Sequence, residues 1–282
     1  MSLAALLFVL AASSPHPGHP AAQIAAAERA FAAQSVAEGM NTAFAAHLAD
    51  DAVVFKPLPR PGARAWHAAQ ENPPVTLDWY SAFTLAAASG DFGLSTGPFT
   101  LVSQTDPQRR GYGHFISIWE RQADGAWKVR IDGGISHPAP DVAIAALDPA
   151  AMPANQLSQF REAASMDELA AAEAALREKA MADGVADAID VMGAAQMRLY
   201  LEARLPVIGR EAAVETLVSV SPAWTWTMAG GGLARSGDLA YTYGSLHPTE
   251  DPEGAPIGSF LHVWQWEGDG WKLLVQRDAV FR

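Results

Sequence analysis

The sequence predicts an α+β fold built twice in tandem, on three observations. The chain repeats itself at an offset of 144 to 147 residues, each copy opens on a helical apolar stripe, and each closes on alternating strands that end in a hairpin. Ala25-Ala26-Ala27-Glu28 recurs as Ala170-Ala171-Ala172-Glu173, and Ala37-Glu38-Gly39 answers to Ala182-Asp183-Gly184. Ser89-Gly90-Asp91 recurs as Ser236-Gly237-Asp238, and Gly113–Trp119 matches Gly258–Trp264. Asp124-Gly125-Ala126-Trp127-Lys128 matches Asp269-Gly270-Trp271-Lys272. Ordered matches with so little drift are the mark of duplication.

In chain order, the first segment reads as targeting. Leu3 to Ala12 is an unbroken apolar run, too short for the roughly 20 residues that span a bilayer but suited to a secretory leader. Small residues at Ala11 and Ser13 suit cleavage after Ser13, although no Lys or Arg precedes the run; a short N-terminal helix is the other reading. Residues 1–22 are thus taken as leader and Pro/His lead-in, and the protein as periplasmic or secreted. The first copy then spans 23–137, a Pro-rich linker 138–160, and the divergent second copy 161–282.

Ile24, Ala27 and Phe31, then Val36, Met40, Phe44 and Leu48, fall three or four apart and predict one long helix. Leu169, Ala172, Leu176, Val185, Ile189 and Met192 repeat the stripe. Gly39 and Gly184 fall inside these helices, which points to close packing or a kink. Next, Leu77, Trp79, Ser81 and Phe83 alternate as a half-buried strand, matched by Trp224, Trp226 and Met228. Phe92 and Leu94 pair with Leu239 and Tyr241 of the other copy. Gly230-Gly231-Gly232 reads as a hairpin loop, since a strand rather than a helix follows it. In the last hairpin, a two-residue Asp124-Gly125 turn sets Trp119 opposite Arg130, Ser117 opposite Asp132, and Ile118 with Ile131 on the other face.

Composition excludes several functions. With 31 acidic against 19 basic residues the net charge is −12, which repels phosphate backbones, so no nucleic-acid partner is expected. The absence of cysteine rules out disulfides, thiol nucleophiles and zinc–thiolate sites. His47, His67, His114, His137, His247 and His262 lack paired spacing, so neither a metal nor any other cofactor is expected. No membrane association is expected once the leader is removed.

The order of elements, with Leu48-Ala49-Asp50-Asp51-Ala52-Val53-Val54-Phe55 after the first helix, then Ser89-Gly90-Asp91-Phe92-Gly93, Ile118-Trp119-Glu120-Arg121 and Trp127-Lys128-Val129, resembles the nuclear transport factor two-like superfamily. Ketosteroid isomerase and the SnoaL-like polyketide-cyclase relatives share that fold, and the likeness is greatest to bacterial members of unknown function. It implies two cone-shaped domains, each an N-terminal helix plus short helices packed on a curved antiparallel sheet. It covers residues 24–136 well and 169–281 less well, because Ala194-Ala195-Gln196-Met197 replaces the Asp-Asp stretch.

The resemblance also implies where chemistry would lie. In ketosteroid isomerase the cone holds an Asp base and an oxyanion hole in an apolar pocket. Asp132, late in the last strand, is the matching carboxylate here, with Trp79, Tyr80, His114 and Ser117 as neighbours; a strand-end cap or an Arg130 pair is the bland reading. Gln276 in the second copy argues against two equivalent active sites. Asp50-Asp51 reads as surface charge at a helix end.

Phe115, Trp119, Phe260, Trp264 and Trp266 share one parity. They either pack the two copies into an internal pseudo-dimer or line the cones around a ligand, and Trp119, Trp226 and His262 count as ligand-binding candidates on the second view. Three functions follow. The one preferred is an exported, non-catalytic binder of a small apolar or aromatic molecule. The second is a cofactor-free isomerase or lyase using Asp132 as general acid/base, and the third is a non-catalytic assembly module.

Overall fold

The computed structural model describes residues 18–142, 144–145, 157–161, 163–268 and 270–281. The leader with its cleavage site, the middle of the Pro-rich linker, and Asp269 of the second hairpin lie outside the described residues. No helix of the described residues is long and apolar enough to cross a membrane.

Each half sets helices against one sheet. Helix α1 (Pro20–Glu38) buries Ile24, Glu28, Phe31 and Ser35, and α2 (Met40–His47) buries Asn41 and Phe44. In the second half α4 (Met166–Asp183) is capped by Ser165, whose hydroxyl accepts from Glu168 N, and α5 (Val185–Met192) follows. The single long helix predicted for each copy is therefore two. Gly39 (φ 97°, ψ 155°) and Gly184 (φ 98°, ψ 157°) break them in a backbone region open only to glycine. Val36, predicted on the stripe, lies off the buried Ile24-Glu28-Phe31-Ser35 face of α1 and is 50% exposed, and Leu48 opens a strand.

The first sheet comprises β1 (Leu48–Phe55), β2 (Pro59–Arg60), β3 (Val75–Trp79), β4 (Phe83–Ala86), β5 (Phe92–Ser103), β6 (Arg110–Arg121) and β7 (Trp127–His137), with α3 (Ala63–Ala68) between β2 and β3. Its order is β2-β1-β7-β6-β5-β3, with β4 also on β5. The second comprises β8 (Gly193–Leu201), β9 (Val207–Ile208), β10 (Trp224–Leu233), β11 (Leu239–Pro248), β12 (Gly258–Glu267) and β13 (Gly270–Val280), ordered β10-β11-β12-β13-β8-β9, with α6 (Arg210–Val220) after β9. Neither sheet is wholly antiparallel: β1 runs parallel to β7, and β8 to β13. No hairpin joins these pairs, so nothing imposes the antiparallel sense on them.

Strand β10 runs straight through Gly230-Gly231-Gly232, which form no hairpin loop. A Cβ at Gly230 would meet the Tyr243 ring and one at Gly232 the Tyr241 ring, so these glycines seat two tyrosines of β11. Asp50 and Asp51 lie on β1 rather than at a helix end, ion-paired at the surface with Arg64 and Arg130.

The last hairpin of the first half contains two offsets that cancel. Its loop has three residues, because Gln122 N bonds Ala126 O (2.7 Å) and Gly125 takes φ 86°. Trp119 consequently faces Val129, not Arg130, and a bulge between Ile118 and Trp119, with Arg130 as the extra residue, restores the predicted Ile118–Ile131 and Ser117–Asp132 pairs. The second half bulges at the equivalent place, between Val263 and Trp264.

This register decides the two faces. Phe115, Ser117 and Trp119 face the helices of their own half, as do Phe260, His262 and Trp264. Phe92, Leu94, Ile116, Ile118 and Ile131 belong instead to one buried cluster with Tyr241, Leu261 and Val263. The halves thus meet through aliphatic faces, not through the aromatic one, with Phe92 stacked on Tyr241 at 5.9 Å. The two Ser-Gly-Asp turns meet at one edge: Ser89 Oγ lies 2.9 Å from Ser236 Oγ, Ala88 N donates to Asp238 (3.0 Å), and Arg235 pairs with Asp91 (2.5 Å).

The Gly184→Ala variant is expected to lose about 1–3 kcal/mol, because a Cβ there meets no neighbour and only the backbone conformation resists it. Gly39→Ala is expected to lose more, since its Cβ also runs into the Asn72 side chain. Urea unfolding of the two variants against wild type checks both the size and the order.

Candidate functional site

A cavity of about 330 Å³ opens on the helix-facing side of the first sheet. Phe44, Leu77, Trp79, Phe99 and Phe115 supply apolar walls, and Lys56, His67 and Asp132 supply polar groups. Glu202 and Arg277 reach it from the second half.

Beneath it lies a carboxylate on the first helix. Glu28 is fully buried and accepts from both indoles, Trp79 Nε1 at Oε1 and Trp119 Nε1 at Oε2, each at 2.7 Å. Burial raises its pKa, against the hydrogen bonds that favour the charged form. Asp132 accepts from Ser117 Oγ at 3.2 Å. Burial first, then the Glu28 charge, pushes Asp132 up to about 7, although the Ser117 bond and Lys56 pull the other way. His67 is held from behind: Asn41 Oδ1 can only accept, so the 2.7 Å contact puts the proton on His67 Nδ1. Its Nε2 is buried without a partner among the described residues. Burial and then Lys56 lower His67 to about 4, so the ring is neutral at pH 7.

The structure brings together Asp132, Ser117 and Trp79 of the predicted set. Trp119 sits one layer behind the cavity, on Glu28. Tyr80 is not in the site: it lies in the break between β3 and β4, 39% exposed, and its hydroxyl donates to Ile144 O at 2.6 Å. His114 is on the opposite face of the sheet, bonded through Nδ1 to His137 Nε2 at 2.8 Å, because residues 114 and 117 differ in parity along β6. The bland reading of Asp132 as an Arg130 partner does not hold, since Arg130 pairs with Asp51 and Glu120 at the surface.

Trp226 and His262 lie in the second half, packed around two buried carboxylates, and a smaller cavity of about 260 Å³ opens there beside Trp224 and Asp278. Glu173 accepts there from Thr242 Oγ1 (2.6 Å), His262 Nδ1 (3.0 Å) and Trp264 Nε1 (3.2 Å). Asp278 accepts from Trp226 Nε1 (2.9 Å), Trp224 Nε1 (3.2 Å) and Gln276 Nε2 (2.7 Å). At four equivalent positions the first half carries the smaller residue: Ser95 for Thr242, Ser117 for His262, Asp132 for Gln276 and Gly134 for Asp278. These differences leave more space in the first half, about 330 Å³ against about 260 Å³ in the second.

Sequence reasoning missed Glu28, His67 with Asn41, and the two residues from the second half. Glu28 had a legible signal: it stands four residues after Ile24 and three before Phe31, on the apolar stripe, and recurs as Glu173. Among the described residues no group of three or more His, Asp or Glu is placed to hold a metal ion.

Glu28→Gln offers one carbonyl oxygen to two indole donors, so one N–H is left facing an amide N–H₂. A loss of about 1–3 kcal/mol is expected, the penalty for an unsatisfied buried donor. Chemical denaturation of the variant measures it.

No protein-family model matches the chain, and no curated protein does. Solved structures are similar to it in fold, each over less than half of the chain. A nuclear transport factor two-like (NTF2-like) protein of unknown function from Pseudomonas putida KT2440 is 23% identical, covering 45% of this chain and 92% of its own, with a TM-score of 0.34. A similar protein of unknown function from Shewanella oneidensis MR-1 is 16% identical over 40% of this chain and 97% of its own, with a TM-score of 0.33. A candidate scytalone dehydratase from Novosphingobium aromaticivorans DSM 12444 is 14% identical over 46% of this chain and 92% of its own, with a TM-score of 0.35.

Proposed function

We propose that the first half binds a small apolar or aromatic molecule in the cavity above Glu28, with Asp132 as its polar anchor. The observation that carries this reading is a carboxyl group, Asp132, set among aromatic walls and raised to about 7. Such a group is part protonated at neutral pH and can donate to a ligand oxygen or accept from a hydroxyl. Apolar walls with one or two placed polar groups are the usual make-up of a small-molecule site. The second half, with the smaller cavity and no counterpart of Asp132 in it, serves as support. The apolar leader over residues 3–12 favours a periplasmic or secreted setting for the protein.

A second reading is favoured by the same carboxyl group together with His67. A general acid/base works best with a pKa near ambient pH, which Asp132 meets, and proton transfer within an apolar pocket needs no cofactor. On this view the protein is an isomerase or lyase, with Asp132 moving the proton.

Native mass spectrometry of protein purified from its own compartment tests binding: a retained small molecule is expected, and its loss from Asp132→Asn supports the anchor. Turnover of that molecule by wild type but not by Asp132→Asn would favour the catalytic reading. A protein that retains nothing, and whose Asp132→Asn variant changes no metabolite, would argue against both.

Stability carries an independent sign. A carboxyl raised in the folded state binds its proton more tightly than in the unfolded chain, so folding stability falls as pH rises from about 4 to about 7. Asp132→Asn removes that penalty. It is expected to be more stable than wild type at about pH 8, by up to a few kcal/mol at about 1.4 kcal/mol per pKa unit, with the gap closing toward pH 4. Urea titrations across this range read it directly.

A further inference from the structure

Arg277 is an unusual wall for an apolar cavity. Its side chain comes from β13 of the second half and is buried, at 4% exposure, where the equivalent residue of the first copy is Gly133. Nε donates to Gly134 O (2.9 Å), and Nη1 to Ser259 O (3.2 Å) and Ser259 Oγ (2.9 Å). The guanidinium also lies over the Phe55 ring at 4.5 Å. All of these hydrogen-bond partners are neutral; the charges of Asp278 and Glu202 act on the guanidinium, but no carboxylate of the described residues lies within ion-pair distance of it. Buried arginines are ordinarily paired, because desolvating an unpaired charge is expensive. Nη2 makes no hydrogen bond among the described residues. Burial lowers this guanidinium to about 10, against the Asp278 and Glu202 charges that raise it, so it is charged at any physiological pH.

Lys56 follows Phe55 in the chain, lines the same cavity and is exposed at its mouth. The other ionisable groups on the cavity are Asp132, His67 and Glu202. His67 is neutral, and Glu202 is turned to Ser136 N, from which it accepts at 3.3 Å. With Asp132 protonated, two cations face one anion across an otherwise apolar space.

We infer that the ligand of the first half carries an anionic oxygen group, a carboxylate or its like, which docks on Arg277 and Lys56 while its apolar body lies against Trp79 and Phe115. The inference rests on the reading of this cavity as a binding site, and it makes the second half a contributor to the ligand site. Guanidinium is suited to the task, since its fork can hold a carboxylate through two N–H groups.

The test compares 2-naphthoate with its neutral isostere 2-naphthamide by isothermal titration calorimetry on the full chain. A working value of about pH 6 keeps the probe ionised and Asp132 mostly protonated. Wild type is expected to bind the naphthoate roughly tenfold more tightly, with competition between the probes and with added salt weakening the naphthoate alone. Arg277→Gln is expected to abolish the preference, read as the ratio of the two affinities within the variant, and the exposed Lys56→Gln to reduce it several-fold. Equal affinity of wild type for the two probes, or a preference that survives in folded Arg277→Gln, would overturn the anionic ligand and leave the cavity reading standing. Should Arg277→Gln not fold, a salt-insensitive preference that Lys56→Gln leaves intact overturns it instead. Failure of both probes to bind wild type overturns the cavity reading as well.

Discussion

The aliphatic faces of the two sheets are buried in a common core, with Phe92, Leu94, Ile116 and Ile118 on one side and Tyr241, Leu261 and Val263 on the other. Apolar area removed from water at about 25 cal/mol per Å² makes such a face the main adhesive of a sheet. Committing these faces to each other has consequences elsewhere. Each sheet keeps its opposite, aromatic face for its own helices, and the Asp132 cavity of the first half forms on that face. The same packing brings β13 of the second half to the cavity edge, where Arg277 bonds Gly134 O and Ser259 Oγ donates to Pro57 O at 2.9 Å.

Inside each half, a helix carboxylate organises the aromatic face. Glu28 holds two indoles, while Glu173 holds one indole, a hydroxyl and an imidazole. A buried carboxylate is tolerated because donors surround it, and losing one donor or acceptor is costly because water cannot replace it. Given this common frame, small changes in side-chain volume separate the copies. Asp132-Gly133-Gly134 leaves a cavity, whereas Gln276-Arg277-Asp278 narrows the one in its own half and sends a cation into the other. The duplication has thus diverged into a wider half and a narrower one that supplies part of its wall.

Much of this was legible in the chain. The repeat, the helix-then-strand order and the loss of the Asp132 carboxylate at Gln276 follow from spacing and parity. Glu28 was legible too, had a charged residue on an apolar stripe been weighed as a buried one. Other features were not. Tyr80 and His114 lie near the candidate site in sequence pattern, yet a strand break removes one and parity removes the other. The three-residue loop and the bulge each shift the hairpin by one, and only the folded ladder reveals that they cancel.

Alternation and periodicity are local properties, and they determined the elements, the order of the strands in each hairpin and the identity of the one carboxyl in the last strand. Which face of each sheet is shared could not be read from alternation, because both faces are apolar and the choice depends on shape and burial across the whole molecule. For the same reason only the tertiary structure decided that Arg277, 145 residues along the chain from Asp132, stands at the same cavity. Distant residues meet there because two sheets pack back to back.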